Sequence, residues 1–590
     1  MKRGRIPIFR PIPVAALLPA LVLLPLGNAV RAQEQPVIVD DAHPPVRAEP
    51  KKTLPVALAP TWSLTASGEL TVGEGVRTSA QQSSLVPGGS NNLDDGDLNY
   101  AKGKTFSRVL QGDASLDLRH ASGHGVKLGV MAWTDDALEH DTVPHGNSVD
   151  RYVPGDLSDR GFARQAKFSG WDVLDAYAYG RDDLGAGPVD WQLGKVRLPH
   201  DPGFSFSGGL RDLDARNIPA VVRPGSQAEE TVIPFWGATS HWAASPVLRL
   251  DGFVQFAQQR TVEAGCGTLF EAEDYTANGC NLISYNKSLT EQQDVAHGVF
   301  ISRDADIAPR NRPDQFGLGA NLLVREIGTR FGLYAAHYDS RTGYTDSAKG
   351  AGLGPSGHYA QEFPGDKRLV DLKASTRVPS LNLSWLNELS VINGQPVQKN
   401  PSDLLAAFLQ GQGPYGPDAI AQAPHSTYRG WDRFQVEQLQ SGLQEDFGPA
   451  FGARKSTLGV EASLKHVEQL PNRATRPYGR PECAVAAQCS TLDGFVTSSA
   501  WAYRVHAGME FGDVAGAGFA LKPTLTFAQD VRGWSYDYQF IQGRRSVRAA
   551  LDAEFPHEVF ANITYVNGWG GRFNSKADID YVLASIGVRF

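Results

Sequence analysis

The sequence predicts an all-β protein, a transmembrane antiparallel β-barrel of about eighteen strands with short periplasmic turns and long extracellular loops. Three observations carry that expectation. The first is the carboxy terminus, where Val582, Ala584, Ile586, Val588 and Phe590 alternate with Tyr581, Leu583, Ser585, Gly587 and Arg589. A period-two strand with one apolar face, closing on an aromatic terminal residue, is how outer-membrane barrels end. A terminal strand of a soluble sheet also alternates, but would end on Phe only by chance. The second observation is an export signal at the amino terminus, and the third is a regular alternation of short and long connections.

The export signal begins with a cationic head, Lys2, Arg3, Arg5 and Arg10. An apolar run from Val14 to Leu26 follows, interrupted by Pro19 and Pro25, and Val30-Arg31-Ala32 supplies a small residue at the cut. The run is too short and too proline-broken to span a bilayer, so residues 1–32 read as a cleaved secretory signal. Residues 33–61, with Pro36, Pro44, Pro45, Pro50 and Pro55, read as a proline-rich periplasmic lead-in. The barrel is expected over 62–590.

Alternation becomes regular at Trp62, Leu64, Ala66, Gly68, Leu70 and Val72. Ala114, Leu116 and Leu118 run into a polar turn and return as Val126, Leu128, Val130 and Ala132. Leu174, Ala176 and Ala178, then Val189, Trp191 and Leu193, repeat the scheme, as do Leu248, Leu250, Val254 and Phe256. A soluble sheet on a core alternates too, so the connections discriminate. Short ones fall at 120–125, 182–188, 243–246, 326–329, 379–381, 447–451, 512–516 and 556–557, with long ones between. Eight short and nine long connections join eighteen strands; sixteen is the alternative count. Tight turns on one side and long loops on the other is the transmembrane-barrel arrangement.

The formal charge is −8, and the five cations of residues 1–32 leave −13 for the remainder, which argues against nucleic acid as a partner. Four cysteines pair by proximity, Cys266 with Cys280 and Cys483 with Cys489, each pair expected to staple one exposed loop on the outer surface. An even count in an exported chain favours disulfides; metal binding competes, but no Cys-x-x-Cys or His/Cys cluster accompanies the pairs. No metal site and no cofactor is expected.

An eighteen-stranded barrel is too wide to be filled by its own strands, so the lumen is either watery or plugged. Its inner face is expected to carry Glu69, Asp117, Arg119, Lys127, Asp190, Arg249, Asp251, Arg548 and Asp552. Lys195 and Arg197 join it only if Gly194 carries a register-flipping bulge. These charges read either as solvation of a wet lumen or as substrate contacts. The candidate inserted hatch is 199–230, which sets Phe204, Phe206, Leu210, Ile218, Val221 and Val222 beside Arg211, Asp212, Asp214, Arg216, Arg223, Glu229 and Glu230. An ordinary external loop is the competing reading. Residues 402–423, with the apolar run Leu404 to Leu409, form a second insertion candidate with a short helix.

Enzyme signatures are poor. Gly352-x-Gly354-x-x-Gly357 has the dinucleotide spacing but no strand before it or helix after it. Asp94, Asp95 and Asp97 fail the calcium-loop spacing and read as a solvated turn. No Gly-x-Ser-x-Gly or zinc spacing exists.

Several segments match a known family. They are Gly96-Asp97-Leu98-Asn99-Tyr100, Cys266-Gly267-Thr268-Leu269-Phe270, Asn393-Gly394-Gln395-Pro396-Val397-Gln398 with Asp403-Leu404-Leu405, Asp493-Gly494-Phe495-Val496-Thr497-Ser498, and Phe527-Ala528-Gln529-Asp530-Val531-Arg532-Gly533 with Gly543-Arg544-Arg545. On these the chain resembles a large family of Gram-negative outer-membrane β-barrel proteins catalogued as a domain of unknown function. It departs from the usual pattern between Lys195 and Arg223. The resemblance implies an outer-membrane location among lipid, and the company of periplasmic lipid-handling proteins, resistance-nodulation-division exporters or hydrophobic-compound catabolism. It thereby implies passage of a small hydrophobic or amphipathic molecule and brings no catalytic or binding residues with it. The resulting expectation is a passive outer-membrane channel and not an enzyme. The alternatives are a general or sugar-selective porin, and a barrel enzyme or surface adhesion protein.

Overall fold

The computed structural model describes residues 54–59, 61–82, 95–198, 204–271, 273–286, 288–309, 314–480 and 490–590. The expected signal, residues 33–53 of the lead-in, and Cys483 with Cys489 lie outside them. Eighteen antiparallel strands close on themselves. They are β1 (Trp62–Arg77), β2 (Thr105–His120), β3 (Gly125–Asp135), β4 (Ser169–Asp183), β5 (Pro188–Val196) and β6 (Phe235–Trp242). The wall continues through β7 (Leu248–Gln255), β8 (Gln315–Val324), β9 (Thr329–Tyr338), β10 (Lys367–Val378), β11 (Leu383–Gln398) and β12 (Trp431–Phe447). It is completed by β13 (Lys455–Val467), β14 (Ser499–Glu510), β15 (Ala520–Arg532), β16 (Arg544–Glu554), β17 (Val559–Gly570) and β18 (Tyr581–Arg589).

Each strand pairs with its sequence neighbour, and β18 pairs with β1 from Glu69↔Arg589 to Arg77↔Tyr581. The count is eighteen and not sixteen, and every tight turn sits where the alternation places it. Closure is a requirement of the solvent. In hydrocarbon an unpaired N–H or C=O has nothing to bond, so a sheet can cross lipid only without edges. At the seam Gly68 N donates to Phe590 O (2.8 Å) and Phe590 N to Gly68 O (3.1 Å). Where β18 runs out, Leu54–Ala59, at the end of the segment read as lead-in, forms a strand against Trp62–Ala66.

The period-two pattern sorts the two faces. Leu70, Val72, Leu116, Leu128, Leu318, Leu333, Leu372, Leu389, Leu439, Leu464, Ile563 and Ile586 point outward, and Glu69, Gln111, Asp371, Gln440, Glu461 and Thr564 are buried inside. This apolar outer band on a closed sheet makes the chain an outer-membrane barrel; among the described residues no helix is long and apolar enough to cross a bilayer. Leu174 breaks the expected alternation. The β3–β4 register steps between Gly129 and Val130, so Leu174 is the extra residue of a bulge and packs inward on Val109, Met131 and Trp133.

The long connections form a packed extracellular cap. Cys266 and Cys280 are bonded (Cα–Cα 5.3 Å), which excludes them as metal ligands. The bridge is wholly buried, where an exposed, stapled loop was expected, because Tyr100, Phe162, Phe168 and Leu269 from three connections close around it. Asp97 is likewise no solvated turn: it is buried and ion-paired with Arg77. A five-stranded sheet joins Leu282–Ser284, Phe300–Arg303, His358–Glu362, Tyr344–Ala348 and Thr427–Tyr428. Helix Pro401–Gln410, capped by Asn400 Oδ1 accepting from Asp403 N (2.9 Å), contacts that sheet. Residues 402–423 thus belong to the cap rather than to the lumen.

Replacing Leu333 by Arg on the outer band should cost about 2–4 kcal/mol of folding free energy in lipid vesicles. Urea titration of vesicle-folded protein reads that cost directly.

Candidate functional site

The lumen is crossed by the segment that follows β5. Ser205 donates from both its amide (3.1 Å) and its hydroxyl (2.6 Å) to Glu461 Oε2 on β13. Arg504 Nη1 on β14 donates to Ser205 Oγ (2.6 Å), and its guanidinium lies 4.0 Å from the Phe206 ring centroid. Phe206 also meets Phe540 edge-to-face at 5.5 Å. Strands β13 and β14 stand eight and nine places from β5 in a ring of eighteen, so the segment spans nearly the full bore.

A tight turn then brings the chain along the wall. Gln438 Nε2 on β12 donates to Ser207 O (2.9 Å). Gly208 (φ +103°) and Gly209 (φ +57°) come so close that a Cβ would stand 1.9 Å from Gln438 Oε1 and 1.8 Å from Glu388 Oε1. Only glycine permits both the left-handed backbone and the approach. Beyond the turn, Asp212 ion-pairs with Lys367 on β10 and accepts from Tyr338 OH on β9 (2.5 Å). Leu210 and Leu213 pack on Ala336, Tyr338, Leu369 and Ile392. Arg341 donates from Nε to Leu213 O (3.0 Å), and from Nη1 and Nη2 to Gln315 and Gln255 (both 2.9 Å).

The return leg closes the other side. Arg216 N donates to Thr261 Oγ1 (3.1 Å), and Asn217 caps the short helix Ile218–Val222. Arg223 lies 4.5 Å over Trp133 of β3, and Gln227 Nε2 donates to Glu69 Oε1 of β1 (2.6 Å). Glu69 in turn holds Arg589 of β18 (3.1 Å). The segment leaves and rejoins the wall at nearly one point, since Arg197 Nη2 donates to Glu229 O (3.0 Å). Of the other charges proposed for it, Arg211 bonds Phe204 O, and Asp214 acts on the Arg341 guanidinium.

The wall charges mostly neutralise one another. Lys127 and Arg197 both reach Asp175 (3.4 and 2.7 Å), and Lys195 reaches Asp172 (3.4 Å). The bulge making this work lies at Leu174 rather than Gly194, where the β5–β6 ladder runs on without a shift although Gly194 has φ +139°. Arg249 pairs with Asp251 (3.0 Å), which also accepts from Asn321 (2.5 Å). Asp117 accepts from Tyr179 OH (2.6 Å), and Asp190 lies 3.7 Å from Arg181. Arg548 donates to Thr564 (3.3 Å), and Asp552 accepts from Asn562 (2.7 Å). Arg119 is exposed beside the turn after β2.

A cavity of about 230 Å³ remains between Phe270 and the inner face of β14–β18, lined by Arg504, Asp530, Arg544, Lys576 and Tyr581. A second, of about 60 Å³, lies within the extracellular cap.

The family model described as "Protein of unknown function (DUF1302)" matches residues 13–590. No curated protein sequence matches the chain. Among solved structures, OccAB3 of Acinetobacter baumannii is similar at 9% identity and TM-score 0.40, covering 89% of this chain and 99% of that one. OccD3 (OpdP) of Pseudomonas aeruginosa has 10% identity and TM-score 0.41, over 94% and 99%. A BenF-like porin from Pseudomonas fluorescens Pf-5 has 8% identity and TM-score 0.40, over 89% and 98%.

Gly209→Val should detach the turn from β11. Hydrogen exchange in nanodiscs is expected to show Ser205–Leu213 amides exchanging about tenfold faster, with the strand amides unchanged.

Proposed function

The chain belongs to the DUF1302 family of proteins of unknown function, and from that premise we propose that it is a gated outer-membrane channel for a small hydrophobic or amphipathic molecule. The observation that carries the reading is the segment 204–230, bonded across the bore to β9–β14 and back to β1 and β3. It serves as a hatch. Its rings and aliphatic groups line a path with weak, successive apolar sites, while its charges hold it to the wall. Passage is diffusive, because the barrel has no energised membrane to draw on. Direction comes from a periplasmic lipid-handling protein or an inner-membrane exporter.

Glycines at the wall support a hatch that turns as a body. The Gly208–Gly209 turn can swing without dragging bulky side chains through Gln438 and Glu388. Releasing it exposes Glu461 and Lys367 to an aqueous path, and both are charges that need partners while buried.

A polar-solute porin is the second reading. The 230 Å³ cavity favours it, since Arg504, Asp530, Arg544 and Lys576 present more charge there than an apolar molecule needs.

Excising 199–228 with a short glycine linker is sterically simple, because Arg197 and Glu229 already touch. In planar bilayers the intact protein should pass almost no ions, and the excised form should show open-porin conductance. Equal conductance for both would remove the hatch from the reading. Uptake of a hydrophobic dye against a sugar of similar size, in cells bearing each form, separates the two substrate classes.

A further inference from the structure

The bore keeps a space that the inserted segment does not fill, the cavity of about 230 Å³ between Phe270 and β14–β18. A cavity of about 150 Å³ is enough for a benzene molecule, so this one has room for a single ring with a substituent. Part of the space is owed to Gly568, which shares the inward row of β17 with Phe560 and Thr564. A Cβ there would meet nothing nearer than Arg545 O at 3.9 Å. Phe270 and Tyr581, edge-to-face at 5.0 Å between ring centroids, form an apolar wall together with Val566.

The charged lining is unbalanced. Arg504, Asp530 and Arg544 point inward from β14, β15 and β16, and Lys576 enters from the connection before β18. Arg545 also borders the cavity, but it stands in the outward row of β16, opposite Gln529 and Trp569, and is exposed. Asp530, the acid of the lining, accepts from Arg544 Nε (2.7 Å) and from Ile541 N (2.9 Å). Glu461 stands opposite Arg504 in the β13–β14 ladder and accepts from Ser205. Lys576 Nζ donates to the carbonyls of Glu271 (2.6 Å) and Phe270 (3.3 Å), which bond the ammonium without neutralising it. Three inward cations thus face two acids. A walled, partly dehydrated space with an excess of one sign of charge attracts a counter-ion.

We infer that this cavity is a binding site for a small monocarboxylic acid with a single-ring apolar body. The excess of one cation matches one carboxylate, which ammonium and guanidinium groups bind through short, charge-assisted hydrogen bonds. Phe270, Val566 and Tyr581 take the ring. A neutral analogue of the same shape loses the charge match, and a bare carboxylate loses the wall. The inference deepens the proposed channel by narrowing its amphipathic solute to an organic acid, and it rests on that reading for the solute's passage though not for its binding.

Titration calorimetry on full-length protein in phosphatidylcholine nanodiscs, with empty nanodiscs as reference, tests it. The probes are cyclohexanecarboxylate, its methyl ester and acetate at neutral pH. Saturable binding of cyclohexanecarboxylate at one site is expected, about tenfold tighter than the ester and tighter than acetate. Arg504 also anchors Ser205, so the variants leave it intact. Lys576→Gln should weaken binding of the acid about tenfold, and Lys576→Arg should keep it. Gly568→Leu, which fills the space from a position with room for a side chain, should abolish it. No saturable binding above the empty nanodisc, an ester or acetate as tight as the acid, or unchanged binding in Lys576→Gln or Gly568→Leu would each overturn the inference. So would an equal loss in Lys576→Arg, which would make Lys576 a prop for the Phe270 loop. A failed site with intact hatch-dependent conductance removes this inference only, and saturable binding with hatch-independent conductance removes only the channel reading.

Discussion

Everything in this molecule follows from having to satisfy a polar backbone inside hydrocarbon. A sheet can do so only by closing, and the closure is made where Gly68 and Phe590 exchange backbone hydrogen bonds. Closure with eighteen strands creates a second demand. The ring is wider than its inward side chains can fill, so either water or more chain must occupy the bore. Here chain does so, and buried charge then has to be matched across the lumen as carefully as hydrogen bonds are matched around the wall.

That matching explains the placement of the inserted segment better than apolar contact does. Glu461 with Ser205 and Arg504, and Asp212 with Lys367 and Tyr338, are buried or half-buried polar groups through which wall and segment are joined. Two such anchors far apart on the ring specify position as well as adhesion. Between them, Leu210 and Leu213 supply the nonpolar contact and Gly208–Gly209 the close approach. The segment is therefore held to the wall by charged, nonpolar and close backbone contacts together.

Much of the wall was legible in the sequence because lipid imposes a simple rule, apolar at every second residue, and turn residues mark the ends. Leu174 escaped it because a bulge is one residue long and leaves no compositional trace, so Asp172 and Asp175 came to face inward together. The mixture of rings and charges in 199–230 pointed to an inserted segment and left an ordinary external loop as the competing reading. Its partners Glu461, Arg504, Lys367 and Arg341 were not legible. An inward polar position can be recognised by alternation, as for Glu461 between Val460 and Ala462, but what it touches across the bore is a three-dimensional fact. The buried disulfide was mistaken for a surface staple for a related reason, since one sequence does not show three loops converging on it.

The central claim is that residues 204–230 occupy the bore. Electron cryomicroscopy of the protein in a lipid nanodisc tests it most directly. The account predicts continuous density inside the eighteen-stranded ring, running from Ser205 at Glu461 to Asp212 at Lys367 and back to Gln227 at Glu69. An empty bore with that segment packed outside the extracellular rim would contradict it.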